Sequence, residues 1–310
     1  MPEPATLPPA ARDAILAWYD RHGRRLPFRR TTDPYAILVS EAMAQQTQAE
    51  RAGDAWKRFM ARFPTISALA SASPADVLRE WRGLGYNRRA VSLWRAAGVI
   101  IERHGGRVPT ELAALEALPG VGPYTARAVA AIAFGQAVGA VDTNVRKVLG
   151  RMVIGDADVL GPADMQALAD AAVPPGRAAD WTHALMDVGA TVCRPRRPDC
   201  ISCPALAWCR FAAQGQPGDG AGNRTGSRRI PRAAAPRFAS TSRWIRGRIV
   251  DRLRSASDGA WTLVDGPIGE HDREAVAAAL AALAREGLVE LAAPARADDG
   301  AGRLARLSMS

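Results

Sequence analysis

Four cysteines stand in one stretch, CRPRRPDCISCPALAWC, as Cys193, Cys200, Cys203 and Cys209, and the chain holds no others. Four thiolates can hold a tetrahedral zinc or the irons of a 4Fe-4S cluster. Zinc sites usually pair two short C-x2–4-C knuckles. Here only Cys200 and Cys203 make one, inside a C-x6-C-x2-C-x5-C pattern. That spacing favours the iron–sulfur cluster. Arg194, Arg196 and Arg197 lie between the ligands and form a cationic loop suited to a phosphate backbone. The same charges could simply balance an anionic cluster.

A second stretch, ELAALEALPGVGPYTARAVAAIAFG, reads as helix, tight turn, helix. Gly120 and Gly122 permit a strained turn. Pro123 fits the first turn of the second helix, where its missing N–H costs nothing. The free amides at that helix start make an anion site. Leu118 to Gly122, with Val121 inside it, resemble a helix-hairpin-helix motif, which implies a grip on a DNA phosphate. A plain αα-hairpin would favour the same glycines and proline. Further on, AVDTNVRKVLGRM puts Asp142 where a helix N-cap belongs.

These groups need a scaffold, and the pattern supplies helices. A first helix is expected from about Ala10 to His22, ended by Gly23. Apolar residues then recur at three and four positions from Tyr35 to about Ala213, including the run ILVSEAMAQQTQAERAGDAWKRFMARF, with no sustained strand alternation. The fold expected there is all-α. Residues 214–241 are rich in Gly, Pro, Ser and Arg and read as a linker. Beyond it, SRWIRGRIVDRLRSA and EAVAAALAALAREGLVEL predict two helices and a short hairpin, the pattern of a small α+β, winged-helix-like module.

The formal net charge of +10 favours polyanionic partners. Only Lys57 and Lys147 are lysines. No uncharged apolar run of about 18 residues occurs, so no membrane span is expected. The N-terminal MPEPATLPPAARDAIL lacks the charged and apolar regions of a secretory signal. A cytoplasmic protein follows, nucleoid-associated if bacterial.

The hairpin, the loop after it and then Asp142 together resemble the helix-hairpin-helix DNA glycosylase superfamily, over roughly residues 10 to 212. The cysteine spacing is similar to that of its endonuclease III and MutY families. PYAILVSEAMAQQTQ resembles the MutY adenine glycosylase pattern around a catalytic glutamate, which Glu41 matches. GLGYNRRA resembles that family's GLGYY loop, and Tyr86 matches its intercalating tyrosine. Asn87 departs from the second tyrosine, Ala44 from a common leucine, and Phe28 from a common tryptophan.

The resemblance implies an organisation and a site. The organisation is an N-terminal helix (1–30) packed on a cluster lobe, a six-helix lobe with the hairpin (31–137), the iron–sulfur lobe (138–213), the linker and the module (242–310). Glu41 would act as general acid, and Asp142 would steady the cationic sugar or trap it covalently. Tyr124 and Asn144 would hydrogen-bond beside them. Gln45, Gln46 and Tyr86 would meet the opened duplex together with the hairpin and Arg196. Arg24, Leu26, Phe28 and His183 would line the base pocket. Bifunctional members use a lysine where this chain has Tyr124, and a Schiff base needs a primary amine. A monofunctional enzyme is therefore expected, a monomer acting on double-stranded DNA with mismatched or oxidised base pairs. Its expected reaction is excision of adenine opposite 8-oxoguanine or guanine. Excision of thymine or uracil opposite guanine, or DNA binding without catalysis, are the alternatives. The C-terminal module is short and shows no Nudix-box pattern of clustered glutamates.

Overall fold

The computed structural model describes residues 7–215, 237–257, 259–292 and 303–309. The linker expected at 214–241 lies, apart from its two ends, outside the described residues.

Through residue 213 the described chain is helical. The elements are α1 (Pro9–His22), α2 (Pro34–Ala44), α3 (Ala49–Arg62), α4 (Ile66–Ala70), α5 (Pro74–Glu80) and α6 (Arg88–His104). They continue with α7 (Leu112–Glu116), α8 (Pro123–Phe134), α9 (Thr143–Leu149), α10 (Pro162–Ala172), α11 (Ala178–Asp187) and α12 (Arg210–Ala213). Local chemistry sets many of the ends. Thr65, Ser73 and Asp142 each accept an N–H from the first turn of the helix they precede. Gly105 and Gly135 end α6 and α8 in left-handed conformation. π-helical turns at Gly150–Ile154 and Val188–Val192 extend α9 and α11.

One helix stops earlier than its pattern predicts. The periodic run that carries Glu41 continues through Gln45, but α2 ends at Ala44. The reason is Arg89. Its guanidinium takes the carbonyls of Ala42 (2.7 Å), Met43 (3.2 Å) and Gln45 (2.7 Å), which a continuing helix would have used itself.

The chain divides into two compact units. The first comprises Met1–Glu41, Pro109–Ala117 and Val121–Ser227. Inside it, α1 and α8 both pack on α11. Ile15, Leu16, Val148, Leu149, Met165, Trp181 and Leu185 fill its core. Full burial stabilises such side chains by about 1.5–3 kcal/mol each. Within this unit α8 joins the cysteine-bearing elements through its contact with α11.

The second unit comprises Ala42–Val108, Leu118–Gly120 and Arg228–Ser310. Here α4 and α5 pack on α6. Phe59 meets Phe63 and Trp81 edge-on, with ring centroids 4.9 and 6.1 Å apart. The C-terminal part has α13 (Ser242–Arg254), β1 (Thr262–Val264), α14 (Arg273–Arg285), β2 (Val289–Leu291) and β3 (Arg303–Leu307). The three strands form an antiparallel sheet in the order β1-β3-β2, with Thr262 opposite Ala305 and Val289 opposite Leu307. The two helices and the β2–β3 pair match the winged-helix-like expectation. Strand β1 is an addition to it. Among the described residues no helix is long and apolar enough to cross a membrane.

Candidate active site

Glu41 sits in the last two turns of α2 and is buried. Burial pushes its carboxyl up to about 7. A hydrogen bond from the Tyr124 hydroxyl works the other way, the negative charge of Asp142 adds to the rise, and the Arg29 guanidinium offsets part of it. Tyr124 is the second residue of α8, straight after Pro123. Burial and the nearby carboxylates of Glu41 and Asp142 hold its phenol well above the ordinary range, so it remains a proton donor in a hydrogen bond.

Asp142 is the N-cap of α9. Its Oδ1 accepts from the backbone N–H of Asn144 (2.8 Å) and Val145 (2.7 Å). Its Oδ2 accepts from Asn144 Nδ2 at 3.1 Å. Asn144 is fixed in turn by Lys147, whose Nζ donates to Asn144 Oδ1 (3.3 Å) and to the carbonyl of Gly189 (2.8 Å). A Cβ at Gly189 would stand 2.5 Å from that of Asn144, so only glycine lets the turn after α11 approach so closely. The helix N-terminus and these donors turn N–H groups toward both carboxyl oxygens of Asp142. The unit thus holds two carboxyl groups in contrasting settings. One is buried and readily protonated. The other is capped by N–H donors. That is the pairing general acid and electrostatic stabiliser require.

Two side chains absent from the sequence-based set complete this side. Asp187, fully buried at the end of α11, accepts a bidentate pair from Arg29 (2.7 and 2.9 Å) and further bonds from Arg24 N (2.8 Å) and Nε (2.6 Å). Burial alone would raise the Asp187 carboxyl, but the Arg29 and Arg24 bonds and charges outweigh it and hold it below the usual range. Arg29 Nε is buried without a hydrogen-bond partner. His183, one turn before Asp187, is buried near Tyr19, at 6.3 Å between ring centroids. Burial, reinforced by Arg29, pushes its imidazole down to about 3, so it is neutral near pH 7. Leu26 and Phe28 are buried beside Pro27 in the turn that carries Arg29. No local pattern marks Arg29 and Asp187; their pairing joins positions 158 residues apart.

The hairpin turn has the predicted form. Gly120 is left-handed, with φ of 78°, and a Cβ there would meet Ser92 Cβ at 2.5 Å. Gly122 precedes Pro123 with no side chain capping the α8 amides. Leu118 and Val121 turn their side chains inward, so their backbone is what they can offer an anion.

In the second unit, Gln46 and Tyr86 share an unusual property. They are the only non-glycine residues with positive φ among the described residues, at 54° and 45°. Arg89 ties both loops together. Besides the carbonyls of Ala42, Met43 and Gln45, it donates to those of Leu84 (3.1 Å) and Gly85 (3.3 Å). Its guanidinium also lies 5.4 Å from the Tyr86 ring centroid and 5.5 Å from that of Trp81. Tyr86 is 40% exposed. Arg89 too was invisible in the sequence.

The four cysteines are unpaired thiols lining one cavity with Val148, Met152, Val188, Val192 and Phe211. Burial raises the thiols of Cys200, Cys203 and Cys209, that of Cys203 to about 11. Arg151 donates to Cys193 Sγ at 3.4 Å. Arg196 is exposed in the loop between the first two cysteines.

Residues 39–174 match the family model described as HhH-GPD superfamily base excision DNA repair protein. The chain is 45% identical over 263 residues to the adenine DNA glycosylase of Mycobacterium tuberculosis H37Rv, covering 83% of each. It is 41% identical to that of Mycolicibacterium smegmatis, covering 91% of this chain and 93% of the relative. Among solved structures, a thermostable thymine-DNA glycosylase superposes with a TM-score of 0.62 at 32% identity, over 66% of this chain and 95% of that one. An endonuclease III bound to DNA shares the fold, with a TM-score of 0.57 at 23% identity over 66% and 94% of the two chains. With its fold and its paired carboxyl groups in view, this chain belongs to the adenine DNA glycosylases of the helix-hairpin-helix superfamily.

Proposed function

We propose that this chain removes adenine mispaired with 8-oxoguanine or guanine from double-stranded DNA, acting as a monomer and leaving an abasic site. The observation that carries this reading is the buried Glu41 carboxyl, raised to about 7 beside Tyr124 and Asp142. An adenine inside a duplex is out of reach, so the nucleotide must be flipped into a pocket. Gln46 and Tyr86 enter the stack it leaves, with Gln45 beside them, while the Leu118–Gly122 turn and Arg196 hold phosphates. Arg24, Leu26, Phe28 and His183 line the pocket that receives the base.

Breaking the N-glycosidic bond leaves positive charge on the sugar and negative charge on the base. Neutral Glu41 gives its proton to adenine N7, which makes the base a neutral leaving group. Asp142, held by the α9 amides and Asn144, stabilises the oxocarbenium-like sugar until water adds at C1′. Tyr124 keeps the Glu41 proton oriented. Because Tyr124 offers no amine, no Schiff base forms and the strand is not cut by β-elimination.

The four thiols fit a 4Fe-4S cluster. They are unpaired and share one apolar cavity, and burial raises the thiols of Cys200, Cys203 and Cys209, a cost that metal binding would overcome. When bound, the cluster would supply a covalent staple for the loop with Arg194, Arg196 and Arg197. Iron and acid-labile sulfide in the purified protein would support this, and a colourless, iron-free, fully active protein would refute it.

The test of function is excision from A·8-oxoG, A·G, T·G and U·G duplexes, followed by alkali. Cleavage of the adenine strands alone is expected, with no borohydride-trapped complex. Preferential release of thymine or uracil would replace this reading with that of the thymine-DNA glycosylase relatives.

A further inference from the structure

The C-terminal module reaches the Tyr86 loop through both ends of one helix. At the end of α13, the Arg254 side chain is 3% exposed. It donates to the Leu78 carbonyl at 2.7 Å, to Asn87 Oδ1 at 2.6 Å and to Asp251 Oδ1 at 2.8 Å. At the start of α13, Arg243 stacks over the Tyr86 ring at 4.9 Å from its centroid and hydrogen-bonds the Tyr86 hydroxyl. The guanidinium of Arg243 also lies 5.0 Å from the Phe238 ring centroid. Neighbouring residues of the loop are thus gripped from opposite ends of the same helix.

Asn87 stands at the N-terminal boundary of α6 with a helical backbone of its own (φ −53°, ψ −24°), and its side chain makes no capping bond. Its carboxamide oxygen is turned to Arg254, which ties the loop to a distant segment. The residue before it, Tyr86, holds a left-handed backbone that persists only where the surroundings impose it.

We propose that α13 braces the Tyr86 loop, with Arg254 a positioning residue that acts through Asn87 to hold Tyr86 in its insertion-ready conformation. The proposal rests on the reading of Tyr86 as the side chain that enters the duplex. It gives the C-terminal module a role in opening the base pair, and it gives Asn87 a role as the acceptor for a buried guanidinium.

The full-length protein tests this on an A·8-oxoG duplex with 2-aminopurine beside the adenine, read as flipping fluorescence and single-turnover excision. Asn87→Leu removes the acceptor and Asn87→Asp keeps it. Tyr86→Ala reports on the underlying reading. Asn87→Leu should lower both signals about tenfold, and Asn87→Asp should stay within about threefold of the parent. The Tyr86→Ala/Asn87→Leu pair should be no worse than Tyr86→Ala alone, since both act through one ring. If Asn87→Leu flips and excises normally while Tyr86→Ala does not, the brace is wrong and the wedge stands. Multiplying losses in the pair likewise overturn the brace. A harmless Tyr86→Ala overturns both.

Discussion

Glu41 and Gln46 are near neighbours in sequence, yet different physics holds them. Glu41 is set by electrostatics: burial raises its carboxyl, and Tyr124, Asp142 and Arg29 tune it. Gln46 is set by backbone. Its φ of 54° is imposed by Arg89, which removes the carbonyls that would have continued α2. The same contrast separates Asp142, held by amides of a regular helix start, from Tyr86, held by arginines in a left-handed turn. On the proposed reading, chemistry depends on charges in tuned surroundings, and opening the duplex depends on strained backbone held ready. The two should therefore answer to different substitutions, one to removal of charge and the other to relief of backbone strain.

Charge-neutralising variants should strike chemistry and spare the fold. Asp142→Asn keeps the cap, since asparagine caps as well as aspartate. It should lower single-turnover excision by about 10²–10³-fold with little change in duplex affinity. A loss of affinity instead would mean that Asp142 only shapes the helix.

The next effect concerns stability. The Glu41 carboxyl titrates near 4.5 when exposed and near 7 in the folded protein. Between those values the unfolded chain gives up its proton first, so the folded state loses stability as pH rises. Glu41→Gln should remove that penalty and be more stable than the parent by up to about 3 kcal/mol at about pH 8, with no gain at about pH 4. Thermal melts at both pH values check this, and equal gains at both would show that burial of charge is not the cause.

The smallest effect sharpens the other side of the comparison. Gln46→Gly should raise stability by about 1 kcal/mol, because glycine accepts positive φ without strain. It should also slow excision by removing the side chain proposed to enter the stack. A variant with lower stability and unchanged excision would reverse the roles assigned to this loop.

Legibility follows the same divide. The Asp142 cap, the hairpin glycines and the cysteine spacing are local patterns, and the sequence carries them openly. Arg29 with Asp187, and Arg254 with Asn87, pair residues more than a hundred and fifty positions apart, and an arginine-rich chain gives no sign of which cation matters. The overextended α2 has the same origin: its apolar period runs on through Gln45, but a tertiary contact from Arg89 ends it. Strand β1 is three residues long and pairs with β3, distant in sequence, so no alternation announces it.

The central claim is that a protonated, buried Glu41 delivers the proton that frees the base. The direct measurement is the pH dependence of the single-turnover excision rate on an A·8-oxoG duplex, for the parent and Glu41→Gln. The parent rate should fall about tenfold per pH unit once pH exceeds the Glu41 value of about 7, and the variant should be at least about 10³-fold slower with duplex binding retained. A rate that climbs through that range, or a Glu41→Gln enzyme that still turns over, would contradict the account.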